Sequence, residues 1–101
     1  MPRCVASLLP PTGAAAVDAI KNRAAQGEAR AQYRLGYMYA NGEGVPQDHV
    51  QAHKWLTLAT ITFTDKSKRD QAIKVRTSVA AQMTPAQIAE AQKLAREWKK
   101  Q

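Results

Sequence analysis

Apolar side chains recur along this chain at intervals of three and four positions, the spacing that places them on one face of an α-helix. Two such stripes follow each other in the middle of the chain: Ala31, Leu35, Met38 and Tyr39, and then Ala52, Trp55, Leu56, Ala59 and Phe63. Two more come after them: Ala72, Val75, Val79 and Met83, and then Ile88, Ala91, Leu94, Ala95 and Trp98. Residues 14–26 add a segment rich in strong helix formers. The pattern predicts an all-α fold of about five helices in antiparallel succession, without a sheet.

Local start and stop signals set the expected boundaries of these helices. Paired prolines precede Gly13 and cannot donate backbone hydrogen bonds, so we expect residues 1–12 to be a disordered tail and residues 13–101 to be a single domain. Gly27 and Gly42 are expected to end the first two helices. Capping boxes are expected to open the last three helices, with Asp48 and Gln51, Ser67 and Asp70, and Thr84 and Gln87 as the paired residues.

Residues 60–64 are ambiguous when taken alone. They alternate polar with apolar side chains and are rich in β-branched residues, which is typical of a short strand. A lone strand has no partner elsewhere in the chain, however, and its backbone N–H and C=O groups would stay unpaired. We therefore predict that the helix beginning near Asp48 continues through this segment.

The second and third predicted helices and their loop form a unit of roughly 36 residues, a length in the range of helical-hairpin repeats. Small, aliphatic and aromatic residues stand at fixed positions within it: Ala31, Leu35, Gly36, Tyr39, Gly42, Gly44, Val45, Ala52, Trp55 and Ala59. This pattern resembles the Sel-one-like repeat family, a branch of the tetratricopeptide-repeat-like superfamily. The resemblance implies one full repeat over residues 28–63, flanked by partial repeats or caps. It also implies that the antiparallel hairpins stack as a short α-solenoid.

The repeat residues have packing roles that follow from their size. A glycine within a helix costs about 1 kcal/mol relative to alanine, so Gly36 indicates that another helix presses against the backbone there. Gly42 and Gly44 permit a tight loop with positive φ, and Val45 is expected to close the end of the hairpin. None of these roles requires chemistry. The resemblance implies the same conclusion, because members of the family act chiefly as adaptors and scaffolds.

Charge and cysteine content narrow the function further. The chain of 101 residues carries 15 Lys and Arg against 8 Asp and Glu, a formal net charge of +7, which favours acidic partners. Its single cysteine, Cys4, excludes an intrachain disulfide and a metal site built from cysteines. The default expectation is a cytoplasmic protein. The alternative is export, if Arg3 and the apolar residues 5–9 are the end of a longer signal.

Candidate chemical groups are few. His49 and His53 have the four-residue spacing of two metal ligands on a helix, but no third ligand accompanies them. The carboxylates form no pair suited to acid–base catalysis, and Cys4 has no histidine nearby in sequence. The sequence therefore predicts a protein that is not an enzyme, with no catalytic residue, no cofactor and no metal.

Arginine and aromatic side chains, the usual anchors of protein interfaces, lie together on the second helix, on the side opposite Leu35. They are Arg30, Tyr33, Arg34 and Tyr37. We predict that they bind an acidic protein or peptide in a groove lined by the first helices of successive hairpins. The alternative for the tyrosines is that they only pack on neighbouring helices.

Two further alternatives stay open at this point. A basic cluster on the fourth helix, residues 66–69 with Lys74 and Arg76, would instead suit a basic, helical nucleic-acid-binding protein. In addition, repeat proteins need about three units to bury a continuous core, so either the flanking helices cap the single full repeat or two chains form a homodimer.

Overall fold

The structure, a computed structural model, describes residues 13–100, with side chains from residue 16 onward. Over this range the chain forms five helices and no strand: α1 (Gly13–Ala25), α2 (Ala29–Asn41), α3 (His49–Thr62), α4 (Lys66–Ala80) and α5 (Pro85–Glu97). The predicted all-α class is confirmed. Residues 60–62 are helical, as predicted. The prediction is wrong for residues 63 and 64, because the chain leaves the helix at Phe63, which is extended and buried against Ala59 and Ala72. The predicted tail and Cys4 lie outside the described residues.

Helix α3 is the centre of the fold. It packs against α2, α4 and α5, whereas α1 packs against α2. One apolar core joins Leu35 of α2 with Trp55 and Leu58 of α3, and it also includes Ala24 of α1 and Ala95 of α5. Helices from both ends of the described chain therefore meet on the same central hairpin. The arrangement is a short stack of helical hairpins.

Gly36 marks the closest approach between α2 and α3. A Cβ atom placed on it would lie 2.7 Å from Cγ of Leu56 and 3.1 Å from the carbonyl oxygen of Ala52. Leu56 and Ala52 are themselves fully buried. The glycine thus lets the two helix axes come together at the cost of its lower helix propensity.

The loop between α2 and α3 depends on two glycines with left-handed backbone. Gly42 has φ of 71° and Gly44 has φ of 74°, a conformation that other residues adopt at a cost. Behind them, the backbone N–H of Asp48 donates to the carbonyl oxygen of Tyr39 at 2.9 Å. Val45 follows the second glycine and is buried against Val17 and Met38. The loop is thereby held against the ends of α1 and α2.

The predicted N-cap residue is found at two of the three helices, and the complete predicted capping box at one of them. Thr84 and Gln87 form the complete predicted capping box of α5, with both reciprocal hydrogen bonds. At α3, the Asp48 carboxylate accepts from the backbone N–H of Gln51, but the box is incomplete, because the backbone N–H of Asp48 is already engaged with Tyr39. Asp48 and Gln51 therefore form only one of the two hydrogen bonds of a capping box.

The prediction that Ser67 and Asp70 open α4 is wrong. The cap is Asp65, whose carboxylate accepts from the backbone N–H groups of Ser67 and Lys68 at 2.8 and 3.4 Å. The cause lies upstream: Phe63 is buried against Ala59 and Ala72, so the chain turns immediately after it and α4 begins early.

Candidate interaction groove

A groove of about 830 Å³ follows the outer face of α2. Helix α1 forms one wall, and the end of α3 with the first turns of α4 forms the other. The loop between α2 and α3 closes one end. The four residues predicted to bind a partner all line this groove, together with Met38: Arg30, Tyr33, Arg34 and Tyr37.

The side chains of α2 form two stripes along the groove. Arg30, Arg34 and Met38 are spaced four residues apart, so they stand one above the other on the helix. Tyr33 and Tyr37 form the second stripe, with ring centroids 6.5 Å apart. The floor of the groove thus carries a charged stripe that ends on an apolar side chain and, beside it, an aromatic stripe.

The two tyrosines differ in how firmly they are held. The ring of Tyr33 is half-buried and meets that of Phe63 edge to face, with centroids 6.3 Å apart. Tyr37 is 44% exposed. Tyr33 is therefore fixed against the end of α3, whereas Tyr37 presents much of its ring to a molecule in the groove.

Charge in the groove is unbalanced. Arg30 and Arg34 are exposed on α2, and Lys68 of α4 lines the groove with them. Glu43 in the loop is the single carboxylate among the lining side chains. Like charges lining a concave surface reinforce one another and attract ligands of the opposite sign. The groove is accordingly a cationic surface with aromatic rings at its centre.

The end of the groove nearest the loop is apolar. Val17 and Ile20 of α1 approach Met38 of α2 there, and Val17 and Met38 belong to one buried cluster. Gly44 fits under this wall, since a Cβ atom on it would lie 2.8 Å from Cγ2 of Val17. We call this end, formed by Val17, Ile20, Met38 and Gly44, the apolar cup.

The sequence did not indicate the walls of the groove. The helix over residues 14–26 is predicted from helix propensity alone, and that prediction does not say which helix Val17 and Ile20 pack against. The sequence places Lys68 in the basic cluster of the fourth helix, but in the structure Lys68 faces the groove and the other members of that cluster do not line it. Of the predicted cluster, it alone lines the groove on α2; Lys66, Arg69 and Lys74 are exposed elsewhere on α4, and Arg76 is half-buried.

A smaller pocket of about 220 Å³ lies beyond Tyr37, between the last turns of α2 and α4 and the start of α3. Tyr37 lines both this pocket and the main groove. Asn41, His49 and Ser78 are among its lining residues. The pocket thus adds polar groups next to the groove.

The two histidines have different surroundings. His53 is buried in α3, and its Nδ1 lies 3.4 Å from Oγ1 of Thr57. Burial, together with the positive charge of Arg76, holds the pKa of His53 below its usual value. His49 is half-buried at the smaller pocket. Within residues 13–100, no group of three His, Cys, Asp or Glu side chains is arranged to hold a metal ion.

Comparison with known families agrees with the geometry. The fold is that of a helical-hairpin repeat, and the groove is its exposed concave feature. Residues 29–60, comprising α2, the glycine loop and most of α3, match the model of the Sel1 repeat family, the Sel-one-like family that the sequence resembles. The hairpin at the centre of the fold is therefore similar to a Sel1 repeat, which in general is a protein–protein interaction module and typically a non-catalytic scaffold.

No curated protein and no solved structure gave a significant match to the chain. Among the helices of the described residues, none combines the length and the apolar character needed to cross a membrane.

Proposed function

We propose that this protein is a non-catalytic adaptor that binds an acidic segment of another protein in the groove along α2. The Sel1 repeat supports binding of a protein partner in general. The observation that supports an acidic partner is the composition of the groove: three cationic side chains and one carboxylate surround two aromatic rings.

Different residues of the groove would make different kinds of contact with the partner. Arg30 and Arg34 would pair with carboxylates, and the guanidinium group can hold a carboxylate through two parallel hydrogen bonds. Tyr37 would supply a rigid aromatic contact at little entropic cost, because its ring has few rotatable bonds. The groove already exists in the free protein, so binding would not require the helices to rearrange.

Selection from a displayed library of random peptides tests this function. We expect the selected sequences to be enriched in Asp and Glu. The variant Arg30→Ala, Tyr33→Ala, Arg34→Ala and Tyr37→Ala should fail to capture them while its helical circular dichroism is unchanged. A control variant, Lys93→Ala with Arg96→Ala, removes exposed positive charge from α5 and should capture the same peptides.

Either of two results would remove this function. If the selected peptides are not enriched in Asp and Glu, the partner is not acidic. If the fourfold variant captures the peptides as well as the unchanged protein does, they do not bind in the groove. A salt titration separates the nucleic-acid alternative. Binding of an oligonucleotide through several phosphates falls steeply with salt, whereas a peptide held partly by aromatic contacts should lose much less affinity.

A further inference from the structure

The cationic and apolar parts of the groove lie on the same stripe of α2, which fixes the distance between them. Arg30, Arg34 and Met38 are successive members of that stripe. With a rise of about 1.5 Å per residue, Met38 is about 6 Å from Arg34 and about 12 Å from Arg30 along the helix axis. These lengths set the separation of the two kinds of group in a ligand that contacts both.

We infer that the ligand of the groove is an extended peptide in which two acidic residues lie about two and about four positions from one bulky apolar residue. The apolar side chain enters the apolar cup, and the carboxylates pair with Arg30 and Arg34. An extended chain advances about 3.3 Å per residue, so about 6 to 12 Å corresponds to about two to four residues. This inference rests on the proposed function and adds the register of the ligand to it.

The apolar cup is suited to a side chain because its walls are already held in place. Val17 and Met38 are buried against Val45, so they do not need to move in order to form a surface. Ile20 is half-buried and lines the groove beside them. A branched or aromatic side chain placed there would remove its own apolar surface and part of that of Ile20 from water.

Charge complementarity favours acidic residues at the opposite end. Lys68 faces the stripe from α4, so a carboxylate near Arg30 or Arg34 would lie between cations from two helices. The rings of Tyr33 and Tyr37 lie alongside, with their planes inclined at 38° to each other, and offer the peptide an aromatic surface. Glu43, at the loop end, repels an acidic residue there. The acidic residues of the peptide should therefore lie toward Arg30, and its apolar residue toward the loop.

Fluorescence anisotropy with a series of labelled peptides tests the register. Each peptide carries one Leu and one Glu-Ser-Glu unit, because two Glu residues two positions apart in an extended chain match the axial separation of Arg30 and Arg34. The nearer Glu lies one to eight positions from the Leu, in both chain directions, and Ser or Gly residues at the peptide ends keep length and composition nearly constant. We expect affinity to be highest when the nearer Glu is about two positions from the Leu, and to fall by about tenfold when it is adjacent to the Leu or more than four positions away.

Variants of the full chain assign the two ends. Ile20→Ser should abolish the preference for Leu over Ala in the peptide, while the preference for Glu over Gln remains. Its matched control is Ile61→Ser, because Ile61 is 74% exposed and does not line the groove. The variant Arg30→Gln with Arg34→Gln should lose the preference for Glu over Gln and keep the preference for Leu over Ala. Its control is Arg96→Gln on α5, which should keep both preferences.

Charge reversal supplies an independent check. The variant Arg30→Glu with Arg34→Glu should prefer a Leu peptide carrying Lys-Ser-Lys at the same spacing. Circular dichroism of every variant establishes that it is folded. If the reversed protein folds and shows no such preference, the placement of the acidic pair is wrong.

These experiments distinguish failure of the inferred peptide spacing from failure of the proposed function. If acidic peptides bind equally at all spacings, or if Ile20→Ser leaves the Leu preference intact, this inference fails and the proposed function stands. If no acidic peptide binds at any spacing, both fail. If an oligonucleotide displaces the best peptide and binds more tightly, the groove is a nucleic-acid site and both are overturned.

Discussion

Gly36 and Leu56 define the closest approach between α2 and α3, where a single added methyl group would overlap the leucine side chain. The distance from a Cβ at Gly36 to Cγ of Leu56 would be 2.7 Å, and the distance to the carbonyl oxygen of Ala52, one turn earlier on the same helix, would be 3.1 Å. Neither neighbour is the free end of a flexible side chain. The space between these helices is therefore sized for a hydrogen atom.

We expect Gly36→Ala to lower the free energy of unfolding by about 1 to 3 kcal/mol, although alanine is the better helix former. Urea denaturation measures this change. Ala89→Gly on the exposed face of α5 is the control for propensity alone and should cost about 1 kcal/mol. The combination with Leu56→Ala should be less destabilised than the sum of the two changes. A stabilised Gly36→Ala protein would show that the helices are free to separate.

Gln32 offers an opposite case, in which removal of polarity should be tolerated. Its side chain is fully buried, its Nε2 donates to the carbonyl oxygen of Ala24 at 3.3 Å, and its Oε1 has no partner. That carbonyl also accepts from the backbone N–H of Gly27, so it stays paired without Gln32. We expect Gln32→Met to be neutral or to stabilise by about 1 kcal/mol, and Gln32→Glu to destabilise strongly. A clear loss in the methionine variant would indicate that Oε1 has a partner, such as a buried water.

Stability should fall with acid through His53. Burial and, secondarily, Arg76 lower its pKa in the folded state from 6.5. Between that lowered value and 6.5 the unfolded chain binds more protons than the folded one, so the contribution is fully present above pH 6.5 and is lost as the pH falls toward the folded pKa.

Chemical denaturation between pH 7.5 and 5 measures this slope, a range that extends about one unit above and about one and a half units below the ordinary histidine pKa. His53→Gln should flatten it. Arg76→Gln should reduce it only in part, because burial is the larger cause. An unchanged slope in His53→Gln would assign the acid sensitivity to other groups.

The cap of α4 distinguishes the structure from the sequence prediction. Asp65→Ala removes two hydrogen bonds to the first turn and should cost about 1 kcal/mol. Ser67→Ala, at the residue that the sequence favoured, should change stability by less than about 0.5 kcal/mol, since Ser67 is exposed within the first turn. The reverse order of effects in thermal denaturation would restore Ser67 as the cap.

The outer faces of the end helices bear on the oligomeric state. Exposed side chains on α1 include Asp18, Lys21 and Asn22, and those on α5 include Lys93 and Glu97. Polar faces of this kind are typical of helices that cap a stack. We expect a monomer in sedimentation velocity at micromolar concentration. A dimer would mean that the stack continues between two chains.

The sequence predicted what depends on local signals, and missed what depends on how distant segments meet. Thr84, Pro85 and Gln87 specify the start of α5 by themselves, and the structure has the helix there. The start of α4 could not be read in this way, because two acceptors stand two residues apart and the choice follows from where Phe63 is buried. The arginines and tyrosines of α2 could be identified from their spacing, whereas the cup beside them needs Val17, which reaches Met38 only once α1 has docked.

The docking of α1 chiefly on α2 has a consequence for measurements in solution. Helix α3 is buried on several sides, so its amide protons should exchange only when the whole chain unfolds, whereas α1 can detach at lower cost. Since α1 is also one wall of the groove, a ligand seated against Ile20 would hold it in place. Amide hydrogen exchange in residues 16–25 should then be slower with the ligand than without it. This change would detect binding in the groove without a label on the ligand.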